Sequence, residues 1–436
     1  MVTNTTDVPR RAVGLLALMV VPVPFLRSLG YGGMLIPVVS VAVTVTQLPV
    51  ILATIGPRLD WPHRRTDERA SRAWTAWASL VVRRRWAAAA ASIIVLGLLA
   101  GAATSLTLGP ANGNPDVLSQ GGTARTGLTA LERSGIGSGA LTPIEILAPR
   151  GDAPGLAHAL GDLPGVQGAT APQAPAWHRG TTVVVDVFIR DNSAAALASV
   201  RNAAHAFGPG IAVGGIDAQN SDFISAVYGS FPLVIAVIAV LGFLLLARAF
   251  RSLLLPAKAV ALNVLSIAAA WGALVLIWQK GYGSNDVWGI PAIGSIPSWL
   301  PFIVFAFLFG LSMDYEVFIL TRIREEYDAT GSTDTAIVRG IGRTGRLVTS
   351  AALILFLGFV SMSTAPGTLI KVMATGFGIG IILDATVIRA LLVPAAVSLF
   401  GSWNWILPAA AARVLRIPAP HAAAGAARQL GPAPRR

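Results

Sequence analysis

The chain has 436 residues, of which 54% are hydrophobic and 12% are charged, and its mean hydropathy is +0.66. This composition is too apolar for a soluble protein and is typical of a membrane protein. The net charge of +12 would suit nucleic-acid binding, but the basic residues gather at the ends of apolar segments, so we expect no nucleic-acid partner. The chain contains no cysteine, which excludes disulfides and thiolate metal sites.

Apolar segments of about 20 residues, enough to cross a bilayer, predict the arrangement of the chain. Eight spans are expected, at 12–27, 34–56, 86–107, 231–249, 254–277, 299–321, 346–364 and 372–400. Arginines crowd one side of this arrangement, above all in the loop 57–85, which predicts that this side is cytoplasmic. Residues 401–436 follow on the same side, and the part from 417 is rich in Ala, Pro and Arg, which predicts a disordered tail.

The second predicted span resembles the eighth. Residues 49–56 (PVILATIG) match 394–401 (PAAVSLFG) in spacing, and the same register places Val39 opposite Asp384. Two-fold pseudo-repeats of this kind are common in transporters. We therefore expect 1–56 to be two spans left from a first repeat, and the remaining six spans to form a complete second one.

One long hydrophilic segment, 108–230, predicts an external α+β domain. Strands are expected at 142–148 and at 181–189, the second of which is rich in β-branched residues, and a third strand is expected at 211–214. Helical spacing is found at 126–133, 155–160 and 194–205, and the alternation predicts a ferredoxin-like split βαβ unit. The histidines are too scattered to form a metal site and are expected at the surface: His158, His178 and His205.

Two carboxylates interrupt predicted spans of the bundle 231–400. An acid inside the membrane costs several kcal/mol unless it faces a partner or water, so Asp314 and Asp384 are candidate functional residues. Counted along their helices from the outer ends, they lie about 21 Å and about 20 Å deep. Acids at equal depth can exchange protons if their helices pack together. The alternative for each is a simple hydrogen bond to a neighbouring helix.

Further polar residues accompany these acids. Tyr315 points about 100° away from Asp314 around the helix and should serve a different neighbour. Arg389 follows Asp384 by five positions, about 140° around an α-helix, so an ion pair between these two is not expected. Arg389 is then either an interfacial anchor or the partner of a carboxylate on another helix. Other polar residues in the spans are expected only to hold helices together: Asn263, Gln47, Thr349 and Ser350.

Between the sixth and seventh predicted spans lies an amphipathic stretch, 334–346 (DTAIVRGIGRTGR). Its apolar residues and its basic face predict a helix at the membrane surface. We expect it to be a connecting helix, with a regulatory role as the alternative.

Four segments together carry a family resemblance: 310–327 (GLSMDYEVFILTRIREEY), 383–389 (LDATVIR), 404–408 (NWILP), and 22–27 (PVPFLR) with 30–33 (GYGG). The chain resembles the mycobacterial membrane protein large (MMPL) family of the resistance–nodulation–division superfamily. The resemblance implies an inner-membrane exporter of lipids or lipophilic molecules, driven by proton influx and needing no cofactor. Family members have twelve spans and two external porter domains.

The resemblance also implies a proton relay. In the family, an Asp-Tyr pair on the fourth helix and another on the tenth are supported by an Asp and an Arg on the twelfth. Asp314 and Tyr315 match the tenth-helix pair, and Asp384 and Arg389 match the twelfth-helix residues. By the same resemblance the chain begins within the fifth helix, so we expect it to act with a second copy or with a partner that supplies the other half.

Other functions remain open at this stage. The chain could be a non-transporting scaffold or accessory subunit whose external domain binds envelope partners, or an accessory of protein translocation. The family-like segments favour the transporter. We expect no enzyme activity, because the sequence contains no nucleophile–base set and no phosphate-binding loop.

Overall fold

The computed structural model describes residues 24–59, 70–110, 123–190 and 194–414. Six helices in these ranges are long and apolar enough to cross a membrane: Arg85–Ala103, Ile216–Phe250, Leu254–Gln279, Leu300–Thr330, Thr333–Met362 and Thr368–Trp405. Each overlaps one of the spans predicted between residues 86 and 400. Most of the span predicted at 12–27 and the whole tail predicted from 417 lie outside the described residues.

The helices are numbered in chain order as α1 Pro24–Leu59, α2 Arg72–Arg83, α3 Arg85–Ala103, α4 Thr123–Arg133, α5 Ala153–Gly161, α6 Ala194–Phe207, α7 Ile216–Phe250, α8 Leu254–Leu274, α9 Ser284–Trp288, α10 Leu300–Thr330, α11 Thr333–Met362, α12 Thr368–Leu383, α13 Val393–Phe400 and α14 Ala409–Val414. A π-helical turn continues α8 (Val275–Gln279), and a π-helical segment joins α12 to α13 (Asp384–Leu392). The strands are β1 Leu108–Gly109, β2 Ile144–Pro149, β3 Val166–Thr170, β4 His178–Arg179, β5 Thr182–Ile189, β6 Ala212–Val213 and β7 Ile296–Pro297.

Helix α1 corrects the predicted turn between the first two spans. It runs without a break from Pro24 to Leu59, 36 residues, so the chain does not reverse between 27 and 34. The glycines at 30–33 suggested a turn, but glycine weakens a helix by only about 1 kcal/mol and removes no hydrogen bond. Large apolar side chains of α1 are exposed, among them Tyr31, Leu35 and Val39. Lipid or another protein chain must cover such a surface.

Helix α2 lies in the segment predicted as a basic loop, and that prediction is wrong for residues 72–83. Ala78 and Val81 are buried on its apolar face. The Ser71 amide donates to the Gly342 carbonyl over 2.8 Å, and the Trp77 indole donates to the Ala390 carbonyl over 2.8 Å. These contacts fix α2 to the end of the bundle opposite the sheet. Arginines surround this end, which we call the basic side: Arg248, Arg251, Arg322, Arg324, Arg339 and Arg343.

The amphipathic stretch 334–346 is not a separate surface helix. It forms the first turns of α11, which continues without a break to Met362. One side of these turns is buried in the bundle, at Ile337 and Ile341. The Glu326 carboxylate pairs with Arg343 on the same turns. Because the buried residues join the core, the amphipathic pattern marks packing against neighbouring helices.

The hydrophilic segment folds around an antiparallel sheet with strand order β3-β5-β2-β6, and β4 pairs with β5. The three predicted strands are present as β2, β5 and β6, and the predicted helices are present as α4, α5 and α6. Strand β3 was missed because VQGAT has neither β-branched enrichment nor alternation. Along the chain the sheet is built as β2-α5-β3-β5-α6-β6. Helices α5 and α6 cover one face and bury the odd-numbered side chains of β5.

Of the three predicted surface histidines, His158 and His205 are exposed and His178 is half-buried. The His178 imidazole lies 2.9 Å from the Pro172 carbonyl.

The other face of the sheet holds a buried carboxylate. Asp186 on β5 lies opposite Glu145 on β2, is 5% exposed, and has one oxygen, Oδ1, without a hydrogen-bond partner in the described structure. Burial raises the pKa of Asp186 above the usual 3.8, and the neighbouring charge of Glu145 raises that pKa further. The stabilisation that Asp186 contributes is therefore full below its unfolded-state pKa and is lost as pH rises through the raised value.

Replacing Asp186 by asparagine should increase the free energy of unfolding at neutral pH, because the amide carries no charge to bury. Below about pH 4 the gain should disappear, since the aspartate is then neutral in both states. Thermal unfolding of the full chain in detergent across this pH range measures the difference. Glu145→Gln removes only the neighbouring charge and should give a smaller gain of the same sign. An asparagine effect that does not change with pH would contradict this account.

Helix α10 occupies the centre of the bundle, where it buries Phe302, Phe305 and Phe309. Glycines allow the helices around it to approach closely. A Cβ atom at Gly380 on α12 would lie 2.2 Å from the Leu308 side chain, and one at Gly272 on α8 would lie 1.7 Å from the Leu99 carbonyl oxygen. Small residues at such crossings are the usual means of close helix packing in membranes. The crossing at Gly380 thus brings α12 close to α10, and the crossing at Gly272 brings α8 close to α3.

Candidate functional site

Asp384 and Arg389 form a buried ion pair within one helix, which corrects the expectation that they point apart. Arg389 Nε donates to Asp384 Oδ2 over 2.8 Å, and Arg389 Nη2 lies 2.5 Å from the same oxygen. The reason is the π-helical geometry of Asp384–Leu392, seen for example where the Val393 amide donates to the Ile388 carbonyl five residues back. A wider turn returns residue i+5 to nearly the same side as residue i. The two residues are only 9% and 5% exposed.

Ser312 on α10 ties this ion pair to the central helix. Its hydroxyl donates to Asp384 Oδ1 over 2.8 Å, and its backbone carbonyl accepts from Arg389 Nη2 over 2.7 Å. The same hydroxyl lies within hydrogen-bond distance of the Asn263 side chain on α8. Asn263 was expected only to hold helices together, and here it joins the charged site. Polar side chains from α8, α10 and the segment after α12 thus form one hydrogen-bonded cluster.

The relay residues predicted on α10 separate around the helix. The Tyr315 ring lies under the Arg389 guanidinium, 5.0 Å from its centre, and lines the same cavity as Asp384. Asp314 is half-buried and does not line that cavity. Two residues of helix turn it about 200° away from Ser312. The structure therefore brings together Tyr315, Asp384 and Arg389, with Asp314 on the opposite side of α10. We call Asn263, Ser312, Tyr315, Asp384 and Arg389 the Asp384 cluster.

Two buried polar atoms at the Asp384 cluster lack hydrogen-bond partners among the described residues. Asn263 Nδ2 and Arg389 Nη1 are buried donors that meet no acceptor within the described residues. A buried donor without a partner costs about 1–3 kcal/mol, so these two favour water or another polar group in the cavity. Among the described residues no three His, Cys, Asp or Glu side chains are grouped to hold a metal ion. The arrangement can therefore hold water or another polar group against the Asp384–Arg389 ion pair.

Two further charged residues inside the bundle were missed from the sequence. Glu316 on α10 is 6% exposed, and Lys258 on α8 is half-buried beside the same small cavity. Glu316 comes directly after Tyr315 in an apolar run, and Lys258 stands five residues into its helix. The rule applied to Asp314 applies equally to both, because an ionisable residue within a span is rarely without a role.

An apolar bundle of membrane-length helices with a buried acid–base pair and a sheet domain at one end defines a multi-pass membrane protein with a charged intramembrane site. The chain belongs to the MMPL family, whose model matches residues 187–421. The resemblance drawn from the sequence is therefore confirmed.

Several relatives are similar in sequence over most of the chain. The mycolic acid-containing lipids exporter MmpL11 of Mycolicibacterium smegmatis is 35% identical over 416 residues, 88% of this chain and 42% of the relative. The heme uptake protein MmpL11 of Mycobacterium tuberculosis is 34% identical over 422 residues, 90% of this chain and 42% of the relative. The membrane protein YdfJ of Bacillus subtilis is 29% identical over 91% of this chain and 56% of the relative. The chain thus spans about half the length of these relatives or less.

A solved heavy metal efflux pump has a related fold. It superposes with a TM-score of 0.51 over 90% of this chain and 58% of the pump, at 12% sequence identity. At that identity the likeness concerns the fold alone.

Proposed function

We propose that this chain is part of a transporter that exports lipids or other lipophilic molecules across the inner membrane and is driven by proton influx. Asp314, Tyr315, Asp384 and Arg389 form its proton relay. The observation that carries the proposal is the ion pair of Asp384 and Arg389, buried where membrane-length helices cross. A buried pair is weak evidence for stability alone, because apolar residues of similar volume often serve as well. Its presence in the membrane is better explained by a change of charge during function.

Protonation of Asp384 is the step that couples charge to movement. The guanidinium of Arg389 stays charged, so a neutral Asp384 leaves a buried cation without its partner. Ser312 holds both side chains, and it belongs to α10 while they belong to the helix that follows α12. A loss of the ion pair therefore changes the hydrogen bonds that join α10, through Ser312, to the segment after α12. The bundle responds by a relative shift of these helices.

Asp314 serves a second interface. It lies on the side of α10 that faces away from the Asp384 cluster. The sheet domain, built as β2-α5-β3-β5-α6-β6, is a ferredoxin-like porter domain on the outer side, and the basic side is cytoplasmic. Alternating access works with one repeat moving against another. The exposed apolar surface of α1 is suited to pack against a second copy or a partner chain.

The substrate class follows from the relatives. One MmpL11 relative is described as an exporter of mycolic acid-containing lipids and another as a heme uptake protein. Both kinds of cargo are lipophilic. We assign a lipophilic substrate to this chain on that shared property, and the proton gradient drives it outward.

Proton flux in sealed vesicles from the natural host tests the proposal. An imposed pH gradient should be dissipated by wild-type protein, and Asp384→Asn should reduce this flux to background because the amide cannot titrate. Thr386→Val is the matched control, since Thr386 is exposed two residues after Asp384, and its hydroxyl donates to the Ile382 carbonyl of the same helix. Equal flux in wild type and Asp384→Asn would exclude the proton relay and favour a non-transporting scaffold.

A further inference from the structure

Glu316 lies on the same face of α10 as Ser312, one helical turn nearer the basic side. The four-residue spacing puts it about 6 Å below Ser312 and about 40° around the helix. It is 6% exposed. The charged groups around it are Arg389 and Asp384 of the Asp384 cluster and Lys258 on α8. A buried carboxylate in this position is costly unless it serves to hold a proton.

Two cavities lie one after the other between α8, α10 and the last span. The upper cavity is lined by the Asp384 cluster and by further residues of four helical segments: Ser266 and Ile267 of α8, Leu308 and Leu311 of α10, Val348 and Ala352 of α11, and Gly380, Ile381 and Ala385 of the last span. The lower cavity is lined by residues within 255–262 of α8, 316–320 of α10 and 393–397 of the last span. Each of these three segments thus passes from the upper to the lower cavity toward the basic side. Glu316 stands at the top of the lower cavity on α10.

Lys258 connects the lower cavity to the basic end of the bundle. Its ammonium donates to the Asn404 side chain and lies 4.7 Å from the centre of the Phe400 ring. Asn404 is itself fixed, because its amide donates to the carbonyls of Val397 and Gly401 over 2.7 Å each. Ser252 donates to the Asn404 carbonyl over 2.6 Å. The Lys258 ammonium is therefore held beside the lower cavity by Asn404, which is itself fixed by hydrogen bonds near the end of the last span.

We infer that Glu316 and Lys258 form a proton-release branch that leads from the Asp384 cluster to the basic side. This inference rests on the proposed function, and it adds the route by which protons leave. The O–H bond of protonated Asp384 breaks, and a proton passes through water between the cavities to the Glu316 carboxylate, where a new O–H bond forms. Glu316 then gives that proton to water beside Lys258. The ammonium of Lys258 compensates the negative charge of Glu316 each time it forms, and no other reactant is consumed.

Proton flux in sealed host vesicles tests the branch. Glu316→Gln should lower the flux at least about tenfold, as expected for loss of a proton-transfer group, and Glu316→Asp should recover part of it. Lys258→Met should also lower the flux, because the Glu316 charge then loses one of its two cationic neighbours and keeps only Arg389. Wild-type flux in Glu316→Gln, beside background flux in Asp384→Asn, would overturn the branch and leave the proposed function standing.

Water access to the two cavities is tested by a second experiment. Because the chain has no cysteine, a single introduced cysteine can be labelled specifically. Single cysteines at Ala396, which lines the lower cavity, and at Ser266, which lines the upper one, are challenged with a small water-soluble thiol reagent. The branch predicts reaction of Ala396→Cys from the basic side and none of Ser266→Cys. This readout needs no transport, so it holds even if the proton flux of the wild type proves absent. An unreactive cysteine at 396 would overturn the branch.

Discussion

Replacing Arg389 by methionine should lower the free energy of unfolding by about 3–5 kcal/mol, the usual cost of removing one partner from a buried ion pair. Asp384 would be left as a buried carboxylate, and the Ser312 carbonyl would lose its donor. Unfolding in detergent by a denaturant measures the loss. We expect this to be the largest effect of any single substitution in the Asp384 cluster.

The double variant Arg389→Met with Asp384→Leu separates the charge from the packing. Apolar residues of similar volume often replace a buried ion pair without loss, so the double variant should recover most of the stability. It should not recover proton flux, because no titratable group remains at this position. A double variant as unstable as Arg389→Met alone would show that shape, and not the uncompensated charge, accounts for the loss.

Asp314→Asn should abolish proton-coupled transport while the bundle stays folded. Asp314 is half-buried, outside the cavity of the Asp384 cluster, so the amide leaves that ion pair and its hydrogen bonds in place. The isosteric amide keeps the shape of the side chain and removes its titration. Transport in vesicles with an imposed pH gradient measures the function, and unfolding in detergent measures the fold.

Asp314→Glu is the matched control for this second variant. It keeps a titratable carboxylate on the same side of α10 and should retain part of the transport. Full transport by Asp314→Asn would remove Asp314 from the relay. Loss of stability as large as that of Arg389→Met would instead show that Asp314 has a structural role.

The sequence predicts most of the helices correctly because apolar length is a strong signal. All six spans expected from residue 86 onward overlap membrane-length helices. The turn expected near 27–34 was wrong because glycines are compatible with a helix when the surroundings are apolar. Helix α2 was missed although Trp74, Ala78 and Val81 follow helical spacing, since its arginines suggested a loop.

The charged site was only partly predictable, and the reason is geometric. Asp384 and Arg389 were found by their charge within apolar runs, but their pairing depends on a π-helical segment that no sequence rule indicates. Ser312 was not among the candidate residues, yet its hydroxyl and its backbone carbonyl join the ion pair to α10. Glu316 and Lys258 could have been identified from the sequence alone, because both are ionisable residues within predicted spans.

The π-helical segment also links the ion pair to the surface of the membrane. If this segment returned to α geometry, Arg389 would rotate to about 140° from Asp384 and the pair would open. The same rotation would move the Ala390 carbonyl, which accepts the Trp77 indole of α2 over 2.8 Å. Through this hydrogen bond, we expect a displacement of α2 to change the helical register of the segment. We expect a shift of α2 to be accompanied by opening of the Asp384–Arg389 ion pair.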